Sequence, residues 1–288
     1  MMVLTRTRLH VKSLLVMFLI TSSHCESAEK LPMWELGLGG GVIRIPDYRG
    51  SSEAGTYPYP FIMPIYRGRR VQADEEGIKG ILGESSRLRL DFSVYGNVPV
   101  TSDNKARTGM DDLDPILEIG PMLRYKAWKS SNPRQSVILD APVRAALSVG
   151  NGVDYVGLAV TPRVSYRRQF DLFDKPWKWS ISGEALWGSE GLHRYYYQVD
   201  PEDATAQRPA YDADAGFGGT RVRASLYHRD LDKLISFYAV YDSVHDAVFE
   251  DSPLVEQNSG FTVGFVVTWF LFQSENLVEV KQWEWNTE

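Results

Sequence analysis

The stretch Gly260-Phe261-Thr262-Val263-Gly264-Phe265-Val266-Val267-Thr268-Trp269-Phe270-Leu271-Phe272 reads as a strand with two unequal faces. Successive side chains of a strand point to opposite sides, so Phe261, Val263, Phe265, Val267, Trp269 and Leu271 share one wholly apolar face. Thr262, Gly264, Val266, Thr268 and Phe270 form the other, mixed face. Either a soluble sandwich or a membrane barrel uses such a strand, and the rest of the chain chooses between them.

Upstream the same alternation recurs. Leu88, Leu90, Phe92 and Val94 oppose Arg87, Arg89, Asp91, Ser93 and Tyr95. Leu117, Ile119, Leu123 and Tyr125 oppose Glu118, Gly120, Arg124 and Lys126. Further strands are expected over Ser136–Val149, Val156–Arg167, Trp177–Trp187, Arg221–Tyr227 and Leu234–Val244. Each runs about ten residues or more, the length a tilted strand needs to cross a bilayer. Trp34–Ile43 predicts a glycine-rich first strand, and Pro58, Pro60 and Pro64 predict a strand end or irregular edge over Tyr57–Tyr66. No amphipathic helix is expected.

Connection lengths separate the two architectures. Gly96–Asp114, Gly188–Gly219 and Ser243–Ser259 are long, whereas Lys129–Pro133 and Arg229–Lys233 are short and Phe170–Pro176 is moderate. Only Gly150–Asp154 breaks the alternation of short periplasmic turns with long outer loops. Tryptophans 128, 177, 179, 187 and 269 fall near strand ends, as an interfacial girdle requires. The expected fold is all-β, a closed antiparallel transmembrane β-barrel of about twelve strands, with ten as the alternative. An even count requires Val71–Gly83 to hold two short strands or none.

Bulk properties agree. The 288 residues are 43% apolar and 24% charged, with a mean hydropathy of −0.26. That is too apolar for disorder and too polar for a helical membrane protein. A net charge of −6 and the lack of a basic run with aromatics argue against nucleic acid as a partner. Arg6, Arg8 and Lys12 followed by Leu14–Ile20 predict an export signal cleaved between Ser23 and Ala28, leaving a barrel over 29–272 and a tail over 273–288. Cys25 lies at the edge of that signal, so the mature chain has no disulfide. The tail, with Trp283 and Trp285 among charges, is read as a solvated terminus or a periplasmic contact.

Several segments taken together resemble the MipA/OmpV family of outer-membrane proteins. They are Leu36–Gly41, Pro46-Asp47-Tyr48-Arg49-Gly50-Ser51, Tyr59-Pro60, Gly109–Pro115, Ala210–Phe217 and Asp251–Val255. Thr262, Gly264, Val267 and Trp269 have a spacing similar to the closing-strand insertion signal of outer-membrane barrels, which implies the barrel assembly machinery and outer-membrane lipid as partners. The family resemblance implies a scaffold rather than a catalyst. The family's namesake is associated with holding a lytic transglycosylase and a penicillin-binding protein together in a peptidoglycan-remodelling complex, and the resemblance implies such partners here. Other members are linked to adhesion, osmotic response or antibiotic stress. The family supplies no catalytic residues to carry over, and the chain departs from its pattern by continuing beyond the closing strand.

The residues themselves offer little chemistry. Ser243-Val244-His245 reverses the His-x-Ser order of membrane lipid hydrolases, and neighbouring residues of a strand point apart. Asp111, Asp112 and Asp114 match no calcium loop, so no metal or cofactor is expected. The expected lumen carries a basic cluster of Arg87, Arg89, Arg124, Lys126, Arg144, Arg163, Arg167, Arg221 and Arg223. Two readings follow: a narrow anion-leaning pore, or a packed plug in which these cations pair with Asp91, Glu118, Asp140, Glu184 and Asp242. The plug is the favoured one. The acidic outer loops suggest bound divalent ions or cationic compounds.

Overall fold

A computed structural model describes residues 29–74, 77–96, 104–130 and 134–280; the expected export signal, Trp283 and Trp285 lie outside them. The chain forms a closed antiparallel barrel of twelve strands, which is the count the sequence predicts. Its strands are β2 (Trp34–Pro46), β3 (Ala54–Arg67), β4 (Val71–Asp74), β5 (Gly77–Glu84), β6 (Leu88–Gly96), β7 (Ile116–Lys129) and β8 (Gln135–Val149). They continue with β9 (Val153–Val160), β10 (Arg163–Leu172), β11 (Lys175–Gly188), β12 (Gly216–Arg229), β13 (Lys233–Ser243) and β14 (Ser259–Gln273). The ring closes where β14 pairs with β2 from Val263↔Arg44 to Gln273↔Glu35.

Two departures from the expected strands have a physical cause. Val156–Arg167 is expected as one strand but is broken at Thr161-Pro162, where proline removes a ladder donor. Its halves β9 and β10 both lie between β8 and β11, so they fill one position in the wall. The proline-rich segment is the full strand β3, paired with β2 from Trp34↔Tyr66 to Pro46↔Ala54. On its other side, however, β3 pairs among the described residues only through Tyr66↔Ala73 and Arg67↔Gln72. The Arg67 N–H bonds the Met33 carbonyl on the β2 side (2.8 Å), so even-numbered residues of β3 aim their backbone groups away from β2. Pro58, Pro60 and Pro64 therefore remove donors along the thinly paired edge, where a lone N–H would face lipid.

Val71–Gly83 holds the two short strands β4 and β5 that an even count needs. The moderate connection Phe170–Pro176 tightens to two residues, Phe173 and Asp174, both at positive φ (53° and 57°) as a hairpin turn demands. Against expectation, the loop 189–215 contains a helix, α1 (Glu190–Tyr197). The tail also departs from a plain solvated terminus. Leu277–Val280 (β15) turns back and pairs antiparallel with Glu29–Pro32 (β1), a small sheet at the short-turn end.

Side chains sort as the alternation predicts. Phe261, Val263, Phe265, Trp269 and Leu271 of β14 are exposed on the outer face, while Thr262, Val266, Thr268 and Phe270 are buried inside. Leu88, Leu90, Phe92 and Val94 of β6 likewise face outward. In lipid that outward face is the buried one.

Candidate functional site

The lumen is lined with charge in linked sets. Asp140 of β8 accepts from Arg124 (2.6 Å) of β7 and Arg163 (2.5 Å) of β10. Glu184 of β11 lies 2.9 Å from Arg223 and 3.7 Å from Arg163. Asp91 takes Arg89 at 2.6 Å and Arg124 at 4.0 Å, and Glu118 takes Arg144 at 2.9 Å. Asp242 of β13 accepts from Arg221 (2.7 Å) and from Arg49 (2.9 Å). Tyr95 stands among them, its ring under the guanidiniums of Arg144 (5.6 Å) and Arg223 (5.5 Å), its hydroxyl accepting from Arg221 (3.3 Å). These groups sit on the inward face because the period of two puts every second residue there, and ion pairing is what makes burying them tolerable.

Of the nine cations in the expected lumen cluster, Arg89, Arg124 and Arg144 are buried, and Lys126, Arg163, Arg167, Arg221 and Arg223 half-buried. Arg87 is placed elsewhere: it is exposed in the turn before β6, outside the regular alternation that would turn it inward. Sequence reasoning missed a second set. Glu35 of β2 is buried between Arg67 (2.6 Å) of β3 and Arg229 (2.5 Å) of β12, and Arg229 lies over the Phe270 ring. Beside them Ile65, Leu234 and Phe270 form a buried apolar cluster near the short-turn end. The glycine-rich face of β2 permits this, since a Cβ at Gly37 would collide with Thr268 Cγ2.

Over the opposite mouth the long loops fold into a cap. Tyr48, Leu113, Tyr197, Ala213, Val244, Ala247 and Phe249 form its buried core, with Met110, Val199 and Leu254 as a second cluster. Tyr197 stacks on Phe249 at 3.7 Å and donates its hydroxyl to the Arg49 carbonyl (2.9 Å). Burial raises the Tyr197 pKa to about 12 and that of Tyr48 higher still. Both hydroxyls thus stay protonated, and Tyr48 donates to the Leu254 carbonyl at 2.7 Å. Arg49 reaches down to Asp242 and to the carbonyls of Gly218 (2.7 Å) and Ser243 (3.0 Å), fastening cap to wall. Asn104 joins Asp47 (2.8 Å) and Ser51 (3.0 Å), and Arg208 joins the Ala106 carbonyl (2.9 Å). Beneath the cap is a cavity of about 420 Å³ lined by Tyr48, His193, Tyr197, Arg221 and Asp242 among others; a second, of about 300 Å³, lies among the lumenal arginines.

Among the described residues, the Ser243–His245 and metal-site candidates are not assembled. The His245 ring bonds Glu250 (3.1 Å), and it is the backbone N–H of His245 that reaches Ser243 Oγ (3.3 Å). A nucleophile needs a ring nitrogen there. His245, Asp246 and Glu250 bring ligand atoms within 4.8 Å of one another, but they are explained by Glu250 also accepting from the Asp246 N–H (2.6 Å) and Asn258 (2.5 Å) to close the turn. Asp111, Asp112 and Asp114 are exposed.

The cap gathers four separated segments, Pro46–Ser51, Gly109–Pro115, Ala210–Phe217 and Asp251–Val255, into one packed unit. A family model described as MltA-interacting protein MipA matches residues 38–271. The chain belongs to the MipA family. No match is found among curated proteins. Solved structures similar to this MipA-family chain include a bacterial polysaccharide outer membrane secretin, with 9% identity over 84% of this chain and 99% of that one, at a TM-score of 0.40. The outer membrane protein OprG from Pseudomonas aeruginosa shares 9% identity over 84% and 95% (TM-score 0.24). The CymD monoaromatic hydrocarbon channel shares 12% over 85% and 68% (TM-score 0.23). The chain is a bacterial outer-membrane barrel.

Proposed function

We propose that this barrel is a non-enzymatic scaffold whose short-turn end faces the periplasm and docks a lytic transglycosylase, in a peptidoglycan-remodelling assembly with a penicillin-binding protein. The family description supports the first partner, since it names an interaction with MltA. The observation that carries the reading lies at the short turns, which outer-membrane barrels direct to the periplasm. Phe173 and Leu231 stand at neighbouring turn tips, 86% and 77% exposed. Their turns are joined by Lys175 and Asp230 at 3.0 Å. Two large apolar side chains flanking a fixed ion pair form a small docking patch with a polar rim. The packed cap over one mouth and the ion pairs that cross the lumen argue against an open conduit.

Crosslinking in intact envelopes followed by pull-down tests this. The full chain, a Phe173→Ser/Leu231→Ser variant and a chain ended after Gln273 are compared. Recovery of a murein hydrolase with the full chain and its loss with the double variant is the expected result. If all three recover assembly machinery alone, the scaffold reading fails.

A further inference from the structure

The wall formed by β10 to β14 carries a groove of about 920 Å³ on its outward face. Register explains its shape. Trp179, Leu226 and Phe237 are cross-strand neighbours among the outward-facing side chains. Two residues further from the short turns, β12 and β13 place Ala224 beside Ala239, both exposed. A row of bulky side chains thus borders a floor of two methyl groups. Leu172, next to the Phe173 turn, lines one end of the groove, and Val263, near the start of the descending strand β14, lines the other. The groove therefore climbs from the short turns into the apolar band that meets lipid.

Its polar end lies low on β10. Arg168 pairs in register with Trp179 on one side and Gln135 on the other, at the level of an interfacial tryptophan. Among the described residues Arg168 has no hydrogen bond or ion pair. Asp171, the carboxylate of the groove lining, is taken by Arg134 at 2.7 Å. The Gln135 carboxamide oxygen accepts from Tyr166 (3.0 Å), which leaves its N–H2 group to donate elsewhere. A guanidinium keeps its charge on such a wall, and its planar fork matches two oxygens of a phosphate. The apolar trough beside it crosses five strands about 4.8 Å apart, or about 19 Å. A phosphate next to an acyl chain is the layout of a phospholipid, and the short turns of an outer-membrane barrel lie at the periplasmic leaflet. We propose that this groove holds one anionic phospholipid of that leaflet, its phosphate on Arg168 and an acyl chain over Ala224 and Ala239. The inference shares with the scaffold reading only the orientation of the barrel; lipid selectivity and partner recovery are read separately.

Native mass spectrometry of the delipidated full barrel in detergent tests this. The added probes are phosphatidylglycerol, phosphatidylcholine with the same acyl chains, and lipid A. Retention of one phosphatidylglycerol in preference to both others is expected. Arg168→Gln should weaken its binding about tenfold, to the level of phosphatidylcholine, through loss of the charge-assisted bonds. Ala239→Phe fills the floor while keeping the wall apolar, and should lower retention of both glycerophospholipids. Equal retention of phosphatidylglycerol and phosphatidylcholine by the unmodified barrel would overturn the proposal, as would a preference for lipid A. So would a folded Arg168→Gln barrel that keeps the preference, or a lipid-free dimer that Ala239→Phe abolishes, which would give the face to a second copy of the chain.

Discussion

Arg49 ties the cap to the barrel through one fork of donors. Its guanidinium contacts the Asp242 carboxylate and two wall carbonyls, those of Gly218 and Ser243, and its own carbonyl receives Tyr197. Arg49→Ala would leave buried acceptors unpaired, at a cost of about 2 kcal/mol. Asp242 would keep Arg221, so the barrel wall itself should survive. The expected result is a lower melting temperature with an unchanged strand signal by circular dichroism. Arg49→Lys should not restore it, because an ammonium lacks the planar fork that spans three acceptors. The sequence places Arg49 in a turn cluster, which is right, but gives no sign that it reaches residues nearly two hundred positions away. Lumenal partners such as Arg124 and Asp140 are more legible, since the period of two turns both inward.

Helix α1 shows what an element gains from its surroundings. At eight residues it is too short to hold itself in water, and its helical state comes from packing. His193 on it is buried, stacked edge-on against Phe249 at 4.8 Å and bonded to the Asp214 carbonyl at 2.7 Å. Burial, aided by the nearby Arg49 charge, pushes the His193 pKa below its ordinary value, outweighing the Asp214 carbonyl that favours the proton. An opened cap takes up that proton before a closed one does. Cap stability is therefore complete above the ordinary pKa of about 6.5 and is lost as pH falls below it toward the closed-state value. The protection of the amides over 190–197, taken relative to their intrinsic exchange rate at each pH, should fall as pH drops below about 6.5. His193→Gln should flatten the response, and an unaltered pH dependence in that variant would remove His193 as its source. The helix escapes sequence reading because its neighbours in the cap are supplied by distant loops.

At the scale of the whole molecule, a barrel of twelve strands is wide enough that its filling decides its behaviour. Here one mouth carries a packed cap, and the lumen holds salt bridges from Glu35–Arg67 to Asp242–Arg221. Planar-bilayer recordings of the purified protein are expected to show no steady conductance. A stable anion-selective current would mean that the arginines line an open path instead of pairing across it.

By itself the sequence determined the barrel: strand alternation, the contrast of short and long connections, and the closing strand are local patterns, each carried by neighbouring residues. It also determined which face of each strand bears charge. Only the tertiary structure decided which charge meets which, because register and closure set distances between residues on different strands. It decided, too, that four short segments form one cap, that Leu277–Val280 returns to Glu29–Pro32, and that the β3 prolines line the thinly paired edge of the wall. Those contacts join residues far apart in the chain, and a two-residue period carries no information about them.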